Sequence, residues 1–519
     1  MKTMKRYLMR MLPAMVAAAM FMVSCSSASD EGAFIPKNAT DVMHIDLASL
    51  WKKGDLSNAD NLQMVKSLRQ HLQSSDNGSD KLLEAILKDP SSCGIDFRQP
   101  VCSFHEPAAE DFPGIDYCAV IAKMQNRSKF EQFLANLEEV LGNKVERKDT
   151  LGLTTIDLGE TELLAYNDDK IFFIENYPEL LMNMDEFDGK VLSSIQYVDK
   201  LMKLKKEESM ASNKYFDKYL AERKDFSYFM CYGNQLLTSA NPMFNLLLQF
   251  YNEKSLEQFK EASMCIYGSF ENGRLEITSK SYGIPEELQK FGTQKFNDGL
   301  LAYLPAQTLA AATFSVDMEA MAKFLDAMKD EDLSLDEPFG IKEYTLRDLM
   351  NALGGSLAAS FYGMQEGTPY FAAAVDIKDN KVARDLLNEL AVNNGNVYTF
   401  DFFPAMQLVL NDKVAVLSTD PSVIANAQAG GKSNGLMTIA DDAKKGNYLY
   451  MDLNLENWPI ELLDLIGLNN NPIVEAIFSM LDRIEAKNID EQNGKACIFF
   501  TNDKVNSLAF ILQEVDKMM

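Results

Sequence analysis

The sequence predicts an α+β protein: two tandem, internally duplicated domains, each with a mainly antiparallel sheet covered by helices. Three observations predict it. Apolar runs come as short strands paired through tight turns, the mark of hairpins rather than of parallel crossovers. Between other strands stand stretches with apolar positions three and four apart, which read as helices. Five such elements return in the same order in the second half of the chain, which is the signature of an internal repeat.

The first unit opens with a strand at 40–47, followed by Asp46 at a helix N-terminus with Leu47, Leu50 and Trp51 at helical spacing. Residues 316–323 (VDMEAMAK) match 45–52 (IDLASLWK) position by position, and an apolar stretch at 309–316 leads into them. A strand at 119–123 and a helix at 129–137 pair with a strand at 372–376 and a helix at 382–390. Two strands around an Asn-Asp turn at 163–174 pair with the same arrangement at 408–417; Asn and Asp suit the special dihedrals of such turns. Each hairpin is followed by a proline expected to open a helix, Pro178 and Pro421. The strand at 228–231 pairs with 448–451, each continuing into an amphipathic helical stretch. Finally 264–267 pairs with 496–499, each expected to open a closing hairpin.

The expected organisation is a signal peptide at 1–24, a lipidated tether at 25–33, copy A at 34–284, a polar connector at 285–298 and copy B at 299–519. Copy A carries an extra charged helix at 198–224, where copy B has a Gly-rich loop near Gly430 and Gly431. Copy B has the longer helical region, 459–486.

The amino terminus supplies the address. Lys2, Lys5, Arg6 and Arg10 precede an apolar run at 11–23, too short for a permanent span and built like a secretory signal. Met22-Val23-Ser24-Cys25 resembles a bacterial lipobox, which implies cleavage before Cys25 and acylation of its thiol. Asp30-Glu31, soon after that cysteine, resembles the surface-export signal of Bacteroidetes lipoproteins.

Charge narrows the partners. The 76 acidic residues outnumber the 50 basic ones, and losing the leader removes four basic and no acidic residues, leaving 46 against 76, or −30. Binding a phosphate backbone or an anionic lipid surface needs Lys and Arg to neutralise charge, so nucleic acid is excluded as a partner. Attachment to a membrane then falls to the N-terminal lipid, at about 0.8 kcal/mol per buried methylene.

The search for chemistry yields no catalytic residue, cofactor site or metal site. Cys118, Cys231, Cys265 and Cys497 sit in apolar strand-like runs, where a thiol is a small core hydrophobe. Cys93 and Cys102, in loop-like surroundings, form the pair that an oxidising compartment would permit to bridge. Of the three histidines, His44 reads as a core or edge residue and His71 as solvent-facing. His105 follows Cys102 by three residues, which on a strand points the two to opposite faces and spoils a shared metal site. Gly354-Gly355-Ser356 lacks the last glycine of a nucleophile elbow, and no histidine follows position 105; a C-cap and turn is the reading. The acidic run from Asp330 to Glu337 departs from an EF-hand loop at Leu335 and Ile341. Tyr448, Tyr450 and Trp458 form an aromatic spot able to stack on sugars, although core packing is the commoner use. Asp149-Thr150-Leu151 resembles the O-glycosylation acceptor of Bacteroidetes envelope proteins.

The lipobox, the Phe34-Ile35-Pro36 opening followed by Asp46, Leu47 and Trp51, the Lys88-Asp89-Pro90 and Gly94-Ile95-Asp96 segment, and the duplicated strand–helix order together resemble one family. It is a group of Bacteroidetes envelope lipoproteins carrying a domain of unknown function. The resemblance implies an envelope location and brings no catalytic residue with it. The expected function is therefore a membrane-anchored, non-catalytic lipoprotein that meets a protein or glycan partner. The alternatives are a glycan hydrolase using only carboxylates, with two acids about 5 to 9.5 Å apart in one copy, and a structural envelope component without a ligand.

Overall fold

The computed structural model describes residues 31–56, 62, 66, 90–107, 115–141, 145–158, 162–178, 194–237, 259–285, 289, 294–328, 334–338, 340–431, 441–465, 467, 468 and 472–518. The leader with Cys25, His71, and the acids at 330–332 lie outside the described residues. No helix among the described residues is long and apolar enough to cross a membrane. The chain forms two compact units: Met1–Ala240 with Glu261–Leu275 and Lys504–Met519, and Asn241–Lys260 with Glu276–Asp503.

Among the described residues unit 1 forms an antiparallel sheet of nine strands: β1 (Asp41–Ile45), β2 (Val101–Glu106), β3 (Ile115–Lys123), β4 (Arg147–Thr150), β5 (Leu153–Asp157), β6 (Glu162–Tyr166), β7 (Lys170–Pro178), β8 (Phe226–Cys231) and β9 (Ser263–Glu271). Their spatial order is β4-β5-β6-β7-β3-β2-β1-β8-β9. β1 alternates buried and half-buried residues, so Val42 and His44 point inward. The helix Leu47–Lys53 starts where Asp46 accepts the Ser49 amide at 2.8 Å, satisfying one orphan donor of its first turn. The helix Arg127–Leu141 lays Phe130, Phe133, Leu134 and Leu137, one apolar stripe at helical spacing, onto Ile156, Tyr166 and Ile171. Gly94 makes that docking possible. At φ +79° it tucks under the start of the helix, and its carbonyl accepts the amides of Gln125 and Asn126 at 2.9 Å each.

Unit 2 contains most of β10 (Arg274–Tyr282), then β11 (Ala310–Ser315), β12 (Leu353–Gln365), β13 (Thr368–Ile377), β14 (Val392–Asn394), β15 (Val397–Phe400), β16 (Phe403–Leu410), β17 (Val414–Ser418), β18 (Tyr448–Asp452), β19 (Leu481–Asn488) and β20 (Asn493–Phe500). Their order is β14-β15-β16-β17-β13-β12-β11-β18-β19-β20, with β10 beside β20. Alanines at 311, 358, 372 and 374 floor the inner face. Small side chains there let the short helix Asp298–Tyr303 and the helix Pro421–Gln428 approach with Leu300, Leu301, Leu304, Val423 and Ile424. Asp317 accepts the amides of Glu319 and Ala320 at 3.0 Å, capping the helix Met318–Met328. Asp420 and Pro421 begin the helix Pro421–Gln428, as the proline predicted.

Several expectations are corrected. Glu31–Phe34 is a 3-10 turn of unit 1 rather than tether. Pro178 is the last residue of β7, opposite Ile115, and the stretch where it was expected to open a helix lies outside the described residues. The single charged helix expected at 198–224 is two helices, Ser194–Lys203 and Phe216–Ala221, with 3-10 turns between. The break has a cause: the Met210 amide donates to the Ile35 carbonyl at 2.8 Å and the Lys37 amide to the Glu208 carbonyl at 2.9 Å, and Ser209 and Met210 are fully buried. Leu481–Asn488 lies in the expected helical region 459–486 yet is β19, because pairing on both sides overrides its helix-favouring Leu, Arg, Glu, Ala and Lys. Residues 496–499 consequently lie in the second strand of the last hairpin and do not open it. Leu353, not Gly354, caps the preceding helix; Gly354 and Gly355 form an irregularity in β12, where a Cβ at Gly354 would strike the Asp376 carboxylate.

Candidate functional site

Alternation along two strands of unit 2 builds a cleft. Tyr448, Tyr450 and Asp452 occupy one face of β18, and their cross-strand partners in β19 include Glu485 opposite Tyr450 and Arg483 opposite Asp452. With Tyr362 of β12 they line an open cleft of about 600 Å³, inside the size range of small-ligand sites.

The charges in this cleft are held in place by neighbours. Arg483 Nε donates to Glu485 Oε1 at 2.6 Å, its other arm pairs with Asp482, and its guanidinium lies 3.8 Å from the Phe499 ring centroid. Burial pulls its pKa down, but hydrogen bonds to Glu485 and Asp482 outweigh that and raise it. Asp452 Oδ1 accepts the Asn454 amide and Oδ2 accepts Asn457 Nδ2, each at 2.8 Å. The two acids are thereby committed to a turn and to an ion pair.

The tyrosines differ from one another. Tyr362 donates to Asp420 Oδ2 at 2.9 Å. Tyr448 is 3% exposed, and its hydroxyl has no partner among the described residues; nor has Thr313 Oγ1 directly across the β11–β18 pair. Burial pushes the Tyr448 phenol well up, Glu485 adding to the effect, so it stays a neutral hydroxyl able both to donate and to accept. Burial likewise raises Tyr450, with Asp452 contributing. An unpartnered buried hydroxyl costs about 1–3 kcal/mol, which a ligand group that pairs with it would return.

The other singled-out residues are not brought to this cleft. Trp458 stands behind it, donating to the Asp452 carbonyl at 3.0 Å with its ring 6.0 Å from Phe361. His44, 1% exposed in unit 1, lies 2.9 Å from Tyr219 Oη and 3.1 Å from Glu31 Oε2; burial nevertheless lowers its pKa and keeps it neutral. His105 sits between Asp116 and Asp41 at 3.4 and 3.7 Å, on the opposite face of β2 from buried Cys102. Cys93 and Cys102 are both buried and are not joined in a disulfide. Cys118, Cys231, Cys265 and Cys497 lie in β3, β8, β9 and β20, and burial pushes the Cys231 thiol up to about 12. Among the described residues no group of three or more His, Cys, Asp or Glu is placed to hold a metal. In the acidic run, Asp336 is paired with Arg347 at 2.6 Å. Ser356 is 1% exposed and accepts the Asn297 amide at 3.1 Å. Asp149-Thr150-Leu151 runs into the β4–β5 turn, where Leu151 is 56% exposed.

Sequence reading found Tyr448 and Tyr450 but missed Arg483 and Glu485. The signal for them was the period-two spacing of Arg483, Glu485 and Lys487, hidden in a stretch composed of helix formers.

No curated protein matches the chain. A solved structure, that of TP0453 in crystal form III, is similar to it with a TM-score of 0.25 at 10% identity, over 52% of this chain and 84% of that one; a likeness at that level carries no argument. The family model described as domain of unknown function (DUF4836) matches residues 32–409, from the first turn of unit 1 through β9 and into β16 of unit 2. This chain belongs to the DUF4836 family.

Proposed function

We propose that the protein is an envelope lipoprotein, anchored through Cys25, whose body arose by duplication of one sheet-and-helix unit and binds a glycan or protein partner in the unit 2 cleft without turning it over. The observation that carries the binding reading is the cleft itself: three tyrosines, one with an unpartnered hydroxyl, beside carboxylates already committed to neighbours. Duplication is supported by strand order. The sequence β4-β5-β6-β7-β3-β2-β1-β8-β9 in unit 1 has the same connectivity as β14-β15-β16-β17-β13-β12-β11-β18-β19 in unit 2.

Anchoring draws support from the leader and from the folded start of the chain. Glu31 pairs with Arg223 and approaches His44, so the body begins six residues after Cys25. Six extended residues reach about 20 Å, which would keep unit 1 close to the membrane. The test is fractionation of cells expressing the wild type and Cys25→Ser. Movement of the variant from the membrane to the soluble fraction is expected; equal membrane retention would refute the anchor.

A second reading, carboxylate-dependent glycan hydrolysis, is favoured by one observation: Asp452 and Glu485 line the same cleft. Turnover of a glycoside by the purified protein that disappears in both Asp452→Asn and Glu485→Gln would establish it in place of pure binding.

A further inference from the structure

We propose, resting on the reading of unit 2 as a binding module, that its cleft is a subsite for a neutral saccharide oriented by the Tyr448 hydroxyl, and that the matching place in unit 1 is closed among the described residues. The chemistry of the lining selects the ligand class. Tyr362 and Tyr450, both half-buried, supply ring surface for the apolar face of a sugar, with the Tyr448 hydroxyl behind them. Gln307, Thr308 and Asn457 surround them with groups that donate and accept, which suits a polyol. Anionic ligands find no uncommitted cation in the lining, since Arg483 is taken by Glu485 and Asp482. Cationic ligands find both carboxylates engaged. What is left unsatisfied is a neutral hydroxyl, that of Tyr448.

Register accounts for the difference between the two units at the matching place among the described residues. Counting back four residues from each helix-capping aspartate, Asp46 and Asp317, gives Val42 in β1 and Thr313 in β11. Val42 faces Phe229 of β8, and Thr313 faces Tyr448 of β18, so the structural register matches Phe229 with Tyr448, one residue away from the expected pairing of 228–231 with 448–451. In unit 1 the Phe229 position is closed: Phe216 and Tyr219, from the segment that copy A alone carries, each pack 5.3 Å from its ring, and all three are fully buried. Tyr219 also donates to the Ser227 carbonyl at 2.9 Å. The inserted segment thus fills with the protein's own phenol the kind of place that unit 2 leaves to a ligand.

The test is titration of the purified mature protein with maltose, cellobiose and N,N′-diacetylchitobiose, with 3′-sialyllactose as the anionic probe and tri-alanine as the peptide probe, read by saturation-transfer NMR and calorimetry. One or more neutral disaccharides are expected to bind at one site per chain. Tyr448→Phe should weaken that binding about three- to tenfold, the worth of one hydrogen bond, with no loss of thermal stability, and Tyr450→Ala should weaken it further. Binding of sialyllactose or tri-alanine alone, sensitive to Tyr448→Phe, would overturn the saccharide assignment while leaving the binding module standing. Two equivalent sites per chain, or neutral binding indifferent to both substitutions, would overturn the assignment to this cleft. Silence across the whole panel would overturn the saccharide proposal, and glycoside turnover would overturn the non-catalytic reading beneath it.

Discussion

His44 Nδ1 and Tyr219 Oη lie 2.9 Å apart across 175 residues of sequence, both buried in unit 1. The pair joins β1 to the helix Phe216–Ala221. Tyr219→Phe keeps the ring and its contacts with Phe216 and Phe229 but leaves the imidazole nitrogen without that partner. A loss of about 1–3 kcal/mol is expected, measured by urea unfolding of wild type and variant.

Glu31 continues the same network. Burial pushes its carboxyl up, but the hydrogen bond to His44 and the charge of Arg223 outweigh burial and hold it below 4.5. Its folded value is depressed, so its contribution is present above that ordinary value and is lost as pH falls through the lowered one. Arg223→Ala is expected to cost about 1–3 kcal/mol at neutral pH, less than a fully buried pair because both side chains are partly exposed. The variant should also lose less stability on acidification than the wild type, in parallel unfolding curves.

His105 behaves in the opposite sense. Hydrogen bonds to Asp116 on β3 and Asp41 on β1 raise its pKa from 6.5 to about 9. A raised value gives stability that is complete below about 6.5 and is lost as pH climbs through about 9. Asp116→Asn is expected to flatten this alkaline loss and to bring the imidazole titration back toward about 6.5, followed by proton NMR of the His105 ring.

Gly94→Ala addresses the docking of the helix Arg127–Leu141. A Cβ at this position, whose φ is +79°, would meet the Asn126 carbonyl oxygen and the Phe130 nitrogen at 2.4 Å, and backbone cannot rotate away as a side chain can. A loss above about 1 kcal/mol is expected from the conformation alone, with the clash adding to it. Thermal unfolding checks the prediction; an unchanged midpoint would contradict it.

Tyr448→Phe without ligand should leave stability unchanged or raise it by up to about 1 kcal/mol, because it removes a buried hydroxyl that pairs with nothing among the described residues. A clear loss in urea unfolding would mean that the hydroxyl serves the fold instead of a ligand.

Much of the fold is legible in local chemistry. Asp46 and Asp317 cap the helices they were expected to cap, and Asn167, accepting the Asp169 and Lys170 amides at 2.8 Å each, makes the predicted turn. Helix stripes such as Phe130, Phe133, Leu134 and Leu137 are spacing written directly in the chain. Failures came where partners far away decided. Residues 481–488 hold helix-favouring side chains, and only β18 and β20 on either side make them a strand. The charged segment 198–224 breaks because Ile35 and Lys37 bond into it. The β19 side of the cleft, Arg483 and Glu485, went unseen for the first of these reasons.

The sequence by itself determined the strands and helices set by period, cap and turn, and the excess of acid over base, because each depends on residues close together or on a simple sum. Tertiary structure decided which strands are neighbours, that the Tyr219 phenol is buried in unit 1, and that the Tyr448 hydroxyl has no partner among the described residues at the cleft in unit 2. Those outcomes depend on which distant groups meet where side chains are buried, and there a single missing partner is costly.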